Sequence, residues 1–137
     1  MISYYSGSSS GDLKVAHCSN LSCSSATVTP VDSTGNVGQY TGITIGATGY
    51  PLIRCYDVTN TDLKVANCLS ITCTASSTIT VDSTVSGEIE DSGKYSAVTV
   101  GADGMPVVVY YDATTGNQNL KFARAGNPFF IDYWTRR

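Results

Sequence analysis

The stretches "GDLKVAHCSN" (residues 11–20) and "TDLKVANCLS" (residues 61–70) share a Lys, a Cys and an alternating apolar pattern. Alternation with period two marks a half-buried β-strand, because successive side chains leave opposite faces of a sheet. A third version, "NQNLKFARAG" (residues 117–126), keeps Leu, Lys and the alternation but not the Cys. The flanks repeat too. "ISYYSGSSSGDLKVAHC" matches "LIRCYDVTNTDLKVANC" and "VVVYYDATTGNQNLKFARA", and "YTGITIGATGYPLI" matches "YSAVTVGADGMPVV". Cys18 to Cys68 and Asp32 to Asp82 are both offset by 50 residues. Leu63 to Leu120 spans 57, the extra residues falling in "SGEIEDSG" and "TTGNQN". Insertions confined to Gly-, Ser- and Asn-rich stretches mark surface loops.

Each unit reads as four short strands. The first is "ITIG" or "VTVG", then a Gly-Pro turn, "ATGYP" or "ADGMP", then "LIRCYD" or "VVVYYD". A hairpin loop leads to "LKVA" or "LKFA", and "TVTPVD" or "TITVD" completes the unit. Helical periodicity is absent, so the expected class is all-β. Four antiparallel strands recurring every ~40–50 residues are the signature of a β-propeller blade. A parallel β-helix is the competitor, but its coils are shorter and need no hairpins. The chain enters the pattern midway, because "MISYY" aligns with a second strand. At the other end "FFIDYW" is expected to serve as a fourth strand, with Ile131-Asp132 parallel to Val31-Asp32 and Val81-Asp82. The expectation is eleven strands in about three blades, at residues 1–38, 39–93 and 94–137, forming one repeat domain whose ring closes by oligomerisation.

Composition fits. Charged residues are 14% of the chain, nine Tyr dominate the aromatics, and Val, Ile and Thr abound. A net charge of −3 without a basic stripe argues against nucleic acid. No apolar run reaches the ~20 residues of a membrane helix. Five cysteines point to an oxidising, extracellular or cell-surface compartment if they pair. No secretory signal is visible; the expectation is either a leader that was removed or never included, or a chain that begins within a longer reading frame.

At G-x-P-hydrophobic-x-x-Y-Y-D…L-K-V-A-x-C the sequence resembles a tandem repeat of bacterial and environmental extracellular proteins, distantly similar to sialidase-type and lectin-type propellers. The resemblance covers residues 1–125 and implies blades; it leaves function open, since propellers host enzymes, lectins and scaffolds. The sialidase Asp-box, S-x-D-x-G-x-T-W, is not present.

The remaining groups admit more than one role. Cys18 with Cys23, and Cys68 with Cys73, bracket the same turn of two units, and the third unit lacks both. Joint loss suits disulfides; a zinc site from the two pairs is the alternative. Cys55 replaces Tyr4 and Tyr110 and is expected to be a buried free thiol. His17 aligns with Asn67 and Arg124, and a single His draws no catalytic triad or three-His metal site. Glu88, Glu90 and Asp91 are a solvated loop tip or a glycosidase-like carboxylate set. "DVTNTD" (Asp57–Asp62) is an Asx turn or a calcium loop. Lys14, Lys64 and Lys121 recur, as do Asp32, Asp82 and Asp132, and Tyr5, Tyr56 and Tyr111. Recurrence reflects packing or a repeated ligand site, in which Tyr faces stack on sugar rings.

The expected function is a non-catalytic propeller module, without cofactor or metal, that binds extracellular ligands, glycans foremost. The candidate ligand residues are Tyr5, Tyr56, Tyr111, Arg54, His17 and Arg124. An assembly scaffold or a fragment of a longer propeller is the alternative, and a glycosidase- or sialidase-like enzyme the second. The expected partner is a second copy, giving a six-bladed ring through Met1, Ile2, Tyr4, Phe129, Phe130, Ile131 and Trp134.

Overall fold

The computed structural model describes residues 1–7, 11–83, 90–127 and 134–137. Their strands are β1 (Ile2–Ser6), β2 (Asp12–Cys18), β3 (Ala26–Asp32), β4 (Val37–Ile45), β5 (Pro51–Asp57) and β6 (Asp62–Cys68). There follow β7 (Ser76–Asp82), β8 (Ser92–Val100), β9 (Pro106–Asp112), β10 (Asn119–Ala125) and β11 (Trp134–Arg136). No helix is present among the described residues. Antiparallel pairing gives three sheets, β1-β2-β3, β4-β5-β6-β7 and β8-β9-β10-β11. The all-β class, the four-strand unit and the missing first strand of the first unit are as the repeat implied. The second and third sheets begin at Val37 and Ser92, slightly before the expected boundaries at 39 and 94.

The two central strands of the middle sheet, β5 and β6, are buried on both faces, which is why "PLIRCYD" reads as a nearly continuous apolar run. Leu52, Leu63, Val65 and Val81 pack on Val108, Tyr110, Ala123 and Ala125 of the third sheet. Ile53, Cys55, Ala66 and Cys68 pack on Leu13 and Val15 of the first. Each large apolar side chain so buried contributes roughly 1.5–3 kcal/mol. Strand β4 packs across β1 and β2, and β8 across β4, β5 and β6. The closest backbone approaches between sheets are therefore made by β4 and β8, with the apolar faces packed beside them.

Two glycines allow this approach. Gly38 (φ +111°) and Gly93 (φ +113°) lie so close to the preceding sheet that a Cβ would sit 2.8 Å from the Cα of Leu13 and of Leu63 respectively. The third copy of that leucine has no sheet over it. Leu120 is 79% exposed and Phe122 39%, against 0% for Leu63 and 1% for Val65. On the opposite end face Ile2 is also exposed and Tyr4 half-buried. Met1 instead packs on the core between the first two sheets, and Trp134 on the core between the last two.

The tail departs from expectation. Phe129, Phe130, Ile131 and Asp132 lie outside the described residues, and β11 begins after them. Its register, Ala125↔Trp134 and Ala123↔Arg136, matches the opening of β7, Cys68↔Ser76 and Ala66↔Thr78. Trp134 thus stands opposite Ala125 as Ser76 stands opposite Cys68, and the match of Ile131-Asp132 to Val81-Asp82 lies outside the described residues.

Disulfides join Cys18 to Cys23 and Cys68 to Cys73, each with Cα atoms 4.8 Å apart. Each staples one strand connection. Cys55 is a buried free thiol, as expected, and burial pushes it up to about 12. Its side chain stands where Tyr110 stands in the third sheet.

Candidate functional site

The repeated Lys and Asp residues form ion-pair centres that cross from sheet to sheet. Asp57 ends β5 and is fully buried, and its Oδ1 accepts the backbone N–H groups of Thr59 and Asn60. This is the Asx turn that the sequence allowed. Its Oδ2 lies 2.9 Å from Lys64 Nζ, which also reaches Asp32 of the preceding sheet at 3.2 Å. In the next unit Lys121 Nζ lies 2.8 Å from Asp112 and 3.7 Å from both Asp82 and Glu90. Tyr110 Oη donates to Asp82 at 2.8 Å, and Arg136 completes that cluster at 2.6 Å. Where Cys55 replaces the tyrosine, the inter-sheet carboxylate of Asp32 is met by Lys64 and by the Thr34 backbone N–H.

Burial alone would raise the Asp57 carboxyl, but hydrogen bonds from Asn60 and Lys64 hold it below the usual carboxylate range. Asp112 behaves likewise, its burial overcome by Lys121 and Thr114. Burial disfavours the ammonium groups of Lys64 and Lys121, yet their carboxylate partners raise both. A carboxyl held low is ionised near neutrality and has no proton to lend, so these centres suit cross-linking better than general acid catalysis.

The tyrosines form a second row. Tyr5 Oη donates to Asn36 Oδ1 at 2.8 Å, and Tyr56 Oη to Asp91 Oδ1 at 2.7 Å, each bond joining one sheet to the next. Burial, followed by Asp91, raises the Tyr56 phenol. Tyr111 makes no such bond among the described residues. Asp91 also pairs with Lys94, whose Nζ lies 5.3 Å from the Tyr56 ring centroid. Glu90 and Asp91 are thus partly buried sheet-joining groups rather than a solvated loop tip, while Glu88 lies outside the described residues.

Two further tyrosines emerge that sequence reasoning did not single out. Irregularities in β4 and β8 leave Tyr40 (φ +50°) and Tyr95 (φ +49°) in left-handed backbone conformation. Their rings lie 4.8 Å apart, with Tyr56 and Tyr111 at 6.1 and 6.3 Å on either side. Tyr95 is 71% exposed. The signal was the shared "GQYT" and "GKYS" at the head of two units, in which Tyr alone keeps its identity after Gly-x.

The six expected ligand residues do not converge. Tyr111 pairs with Leu120 at one end of β10, whereas Arg124 lies four residues on, about 13 Å along the strand. His17 sits at that far end of β2, half-buried and in register with Thr27. Arg124 is exposed and pairs with Asp103. Arg54 lies beneath Gly42 with its Nε buried and unpartnered, and burial lowers its guanidinium. No helix among the described residues is long and apolar enough to cross a membrane. Comparison with protein-family models, curated proteins and solved structures finds no match.

Proposed function

We propose that the chain is a non-catalytic β-propeller module, three blades of a ring completed by a second copy. The carrying observation is the uncovered third sheet, whose Leu120 and Phe122 stand open where their counterparts in the other two sheets are buried. Sheets stacked face to face, each brought closest to the one before it by its own first strand, suit a propeller, which closes with typically four to eight blades. Two copies make six. The ion pairs and tyrosine bonds at both junctions support a structural role for the recurring residues. The two disulfides favour an oxidising, extracellular setting. Light scattering across a concentration series tests the ring: the expected particle holds two chains, and a cooperatively folded monomer at micromolar concentration refutes it.

The exposed Tyr40–Tyr95 pair favours a second reading, in which the assembled ring binds glycans by stacking on those rings. A glycan array separates the two. Hits lost on Tyr95→Ala support the lectin reading, and a blank array leaves the scaffold.

A further inference from the structure

Two junctions within the chain show what covers a face like that of the third sheet. At the first, Asn36 accepts from Tyr5, Val37 N–H donates to the Gly11 carbonyl at 3.1 Å, and Gly38 rests on Leu13. At the second, Asp91 accepts from Tyr56, Ser92 N–H donates to the Thr61 carbonyl at 3.0 Å, and Gly93 rests on Leu63. Tyr40 and Tyr95 then turn outward, two residues after the glycine. The covering element is the same five-residue pattern both times, Asx-x-Gly-x-Tyr.

The receiving surface is also the same, and the third sheet carries all of it. Tyr111 stands for Tyr5 and Tyr56, and Leu120 for Leu13 and Leu63. Gln118 stands for Gly11 and Thr61, and its φ of +45° repeats their left-handed +64° and +62°. A non-glycine residue rarely adopts that backbone conformation. Gln118 keeps the form that presents the carbonyl to an incoming N–H, although no N–H meets it among the described residues. Beside this receptor a cleft of about 310 Å³ opens between Phe122, Arg124, Thr135 and Arg137.

We infer that the outer face of the third sheet is a docking site for an extended strand of the form Asx-x-Gly-x-Tyr, the opening strand of a further repeat unit. The inference rests on reading the chain as a run of stacked blades and adds what the joint requires. A second copy packing through its first sheet brings no such strand, because that sheet opens at β1, the counterpart of β5. Leu120, Tyr111 and Gln118 would then still lack their counterparts. The requirement at the third position is steric, since any Cβ there meets the leucine backbone.

The probe is a labelled peptide of residues 90–100, "EDSGKYSAVTV", titrated into the full-length chain. Saturable binding of one peptide per chain is expected. Gly93→Ala in the peptide should weaken it at least about tenfold through overpacking. Tyr111→Phe in the chain should weaken it about three- to tenfold by removing one hydrogen bond. Leu120→Lys should abolish it, with circular dichroism at the same protein concentration confirming that the variant keeps its β-sheet fold. The docking inference is overturned by an absence of saturable binding, whether a second copy or the chain's own tail occupies the face. Equal affinity of the Gly and Ala peptides overturns it too. Light scattering without peptide reads the ring separately. A single-chain mass with Gly-dependent peptide binding sinks the ring and leaves the docking site, and a two-chain mass without peptide binding does the reverse.

Discussion

Replacing Gly93 by Ala asks whether backbone, rather than side chains, sets the distance between sheets. The new Cβ would lie 2.8 Å from Leu63 Cα and 2.9 Å from Leu63 Cβ. Neither atom is the free end of a flexible side chain, so β8 must lift off β6. Forcing a methyl group into a packed interior costs about 1–3 kcal/mol. Holding an L-residue at a left-handed φ adds about 1–2 kcal/mol. The expected loss of roughly 2–5 kcal/mol is a large share of the ~5–15 kcal/mol that stabilises a domain. Gly49 supplies the control, with φ +80° and nothing within 4 Å, so Gly49→Ala should show only the backbone cost. Gly38→Ala should resemble Gly93→Ala, because its Cβ meets Leu13 Cα at the same 2.8 Å. Urea unfolding with the disulfides intact measures all three. Should Gly93→Ala and Gly49→Ala agree within about 0.5 kcal/mol, the junction yields and the spacing argument is wrong.

Lys64→Ala leaves Asp32 and Asp57 buried without their cation and should cost roughly 3 kcal/mol, whereas Lys14→Ala, with Asp12 and Ser6 as its partners among the described residues, should cost under ~1 kcal/mol; equal losses in denaturant unfolding would contradict the inter-sheet role. Because the folded Asp57 and Asp112 carboxyls sit low, their contribution is present above the ordinary Asp value of ~3.9 and disappears as pH falls through the lower folded values. An acid titration of the unfolding midpoint reads this, and Lys64→Ala should flatten it. The Cys55 thiol, held up to about 12, stays neutral while the unfolded thiol ionises near ~8.5. Between about pH 9 and 10, below the ordinary tyrosine range, stability should therefore fall by up to about 1.4 kcal/mol per pH unit, and Cys55→Val should remove that slope. Native protein should resist iodoacetamide at pH 8, so rapid labelling of Cys55 would show that its burial is mistaken. Ending the chain at Asn127 removes β11, the Trp134 packing and the Arg136–Asp82 pair, an expected loss of roughly 2–4 kcal/mol; an unchanged melting temperature would show the tail to be dispensable.

The alternation in "DLKVAHC" and the Gly-Pro turns were enough to place ten of the strands, because strand period and turn chemistry are local properties. Cysteine pairing was legible for a different reason: the third unit lacks both members at once. What the letters did not carry was the meeting of distant groups. That Asp91 belongs to Tyr56 depends on a contact 35 residues apart between two sheets. In sequence it looked like one of three acids in a polar loop. The tail was legible in part: a closing strand is present as β11 at Trp134–Arg136, while the stretch matched to Val81-Asp82 lies outside the described residues. Tyr40 and Tyr95 were visible as repeated letters, but only the irregularity of β4 and β8 turns them outward.

The glycine contacts at the two junctions have a bearing on how faithfully such a chain can be extended. Side chains are compressible and vary from unit to unit, as Cys55 in place of Tyr110 illustrates, so a pitch set by side chains would drift with each substitution. Here Gly38 and Gly93 bring main chain against main chain, the one part of the polymer that mutation leaves unchanged. Angular variation at each joint is then bounded by backbone dimensions rather than by the side chains packed there. Copies with divergent interiors can be strung together without recalibration, each joint taking its gauge from the same missing methyl group.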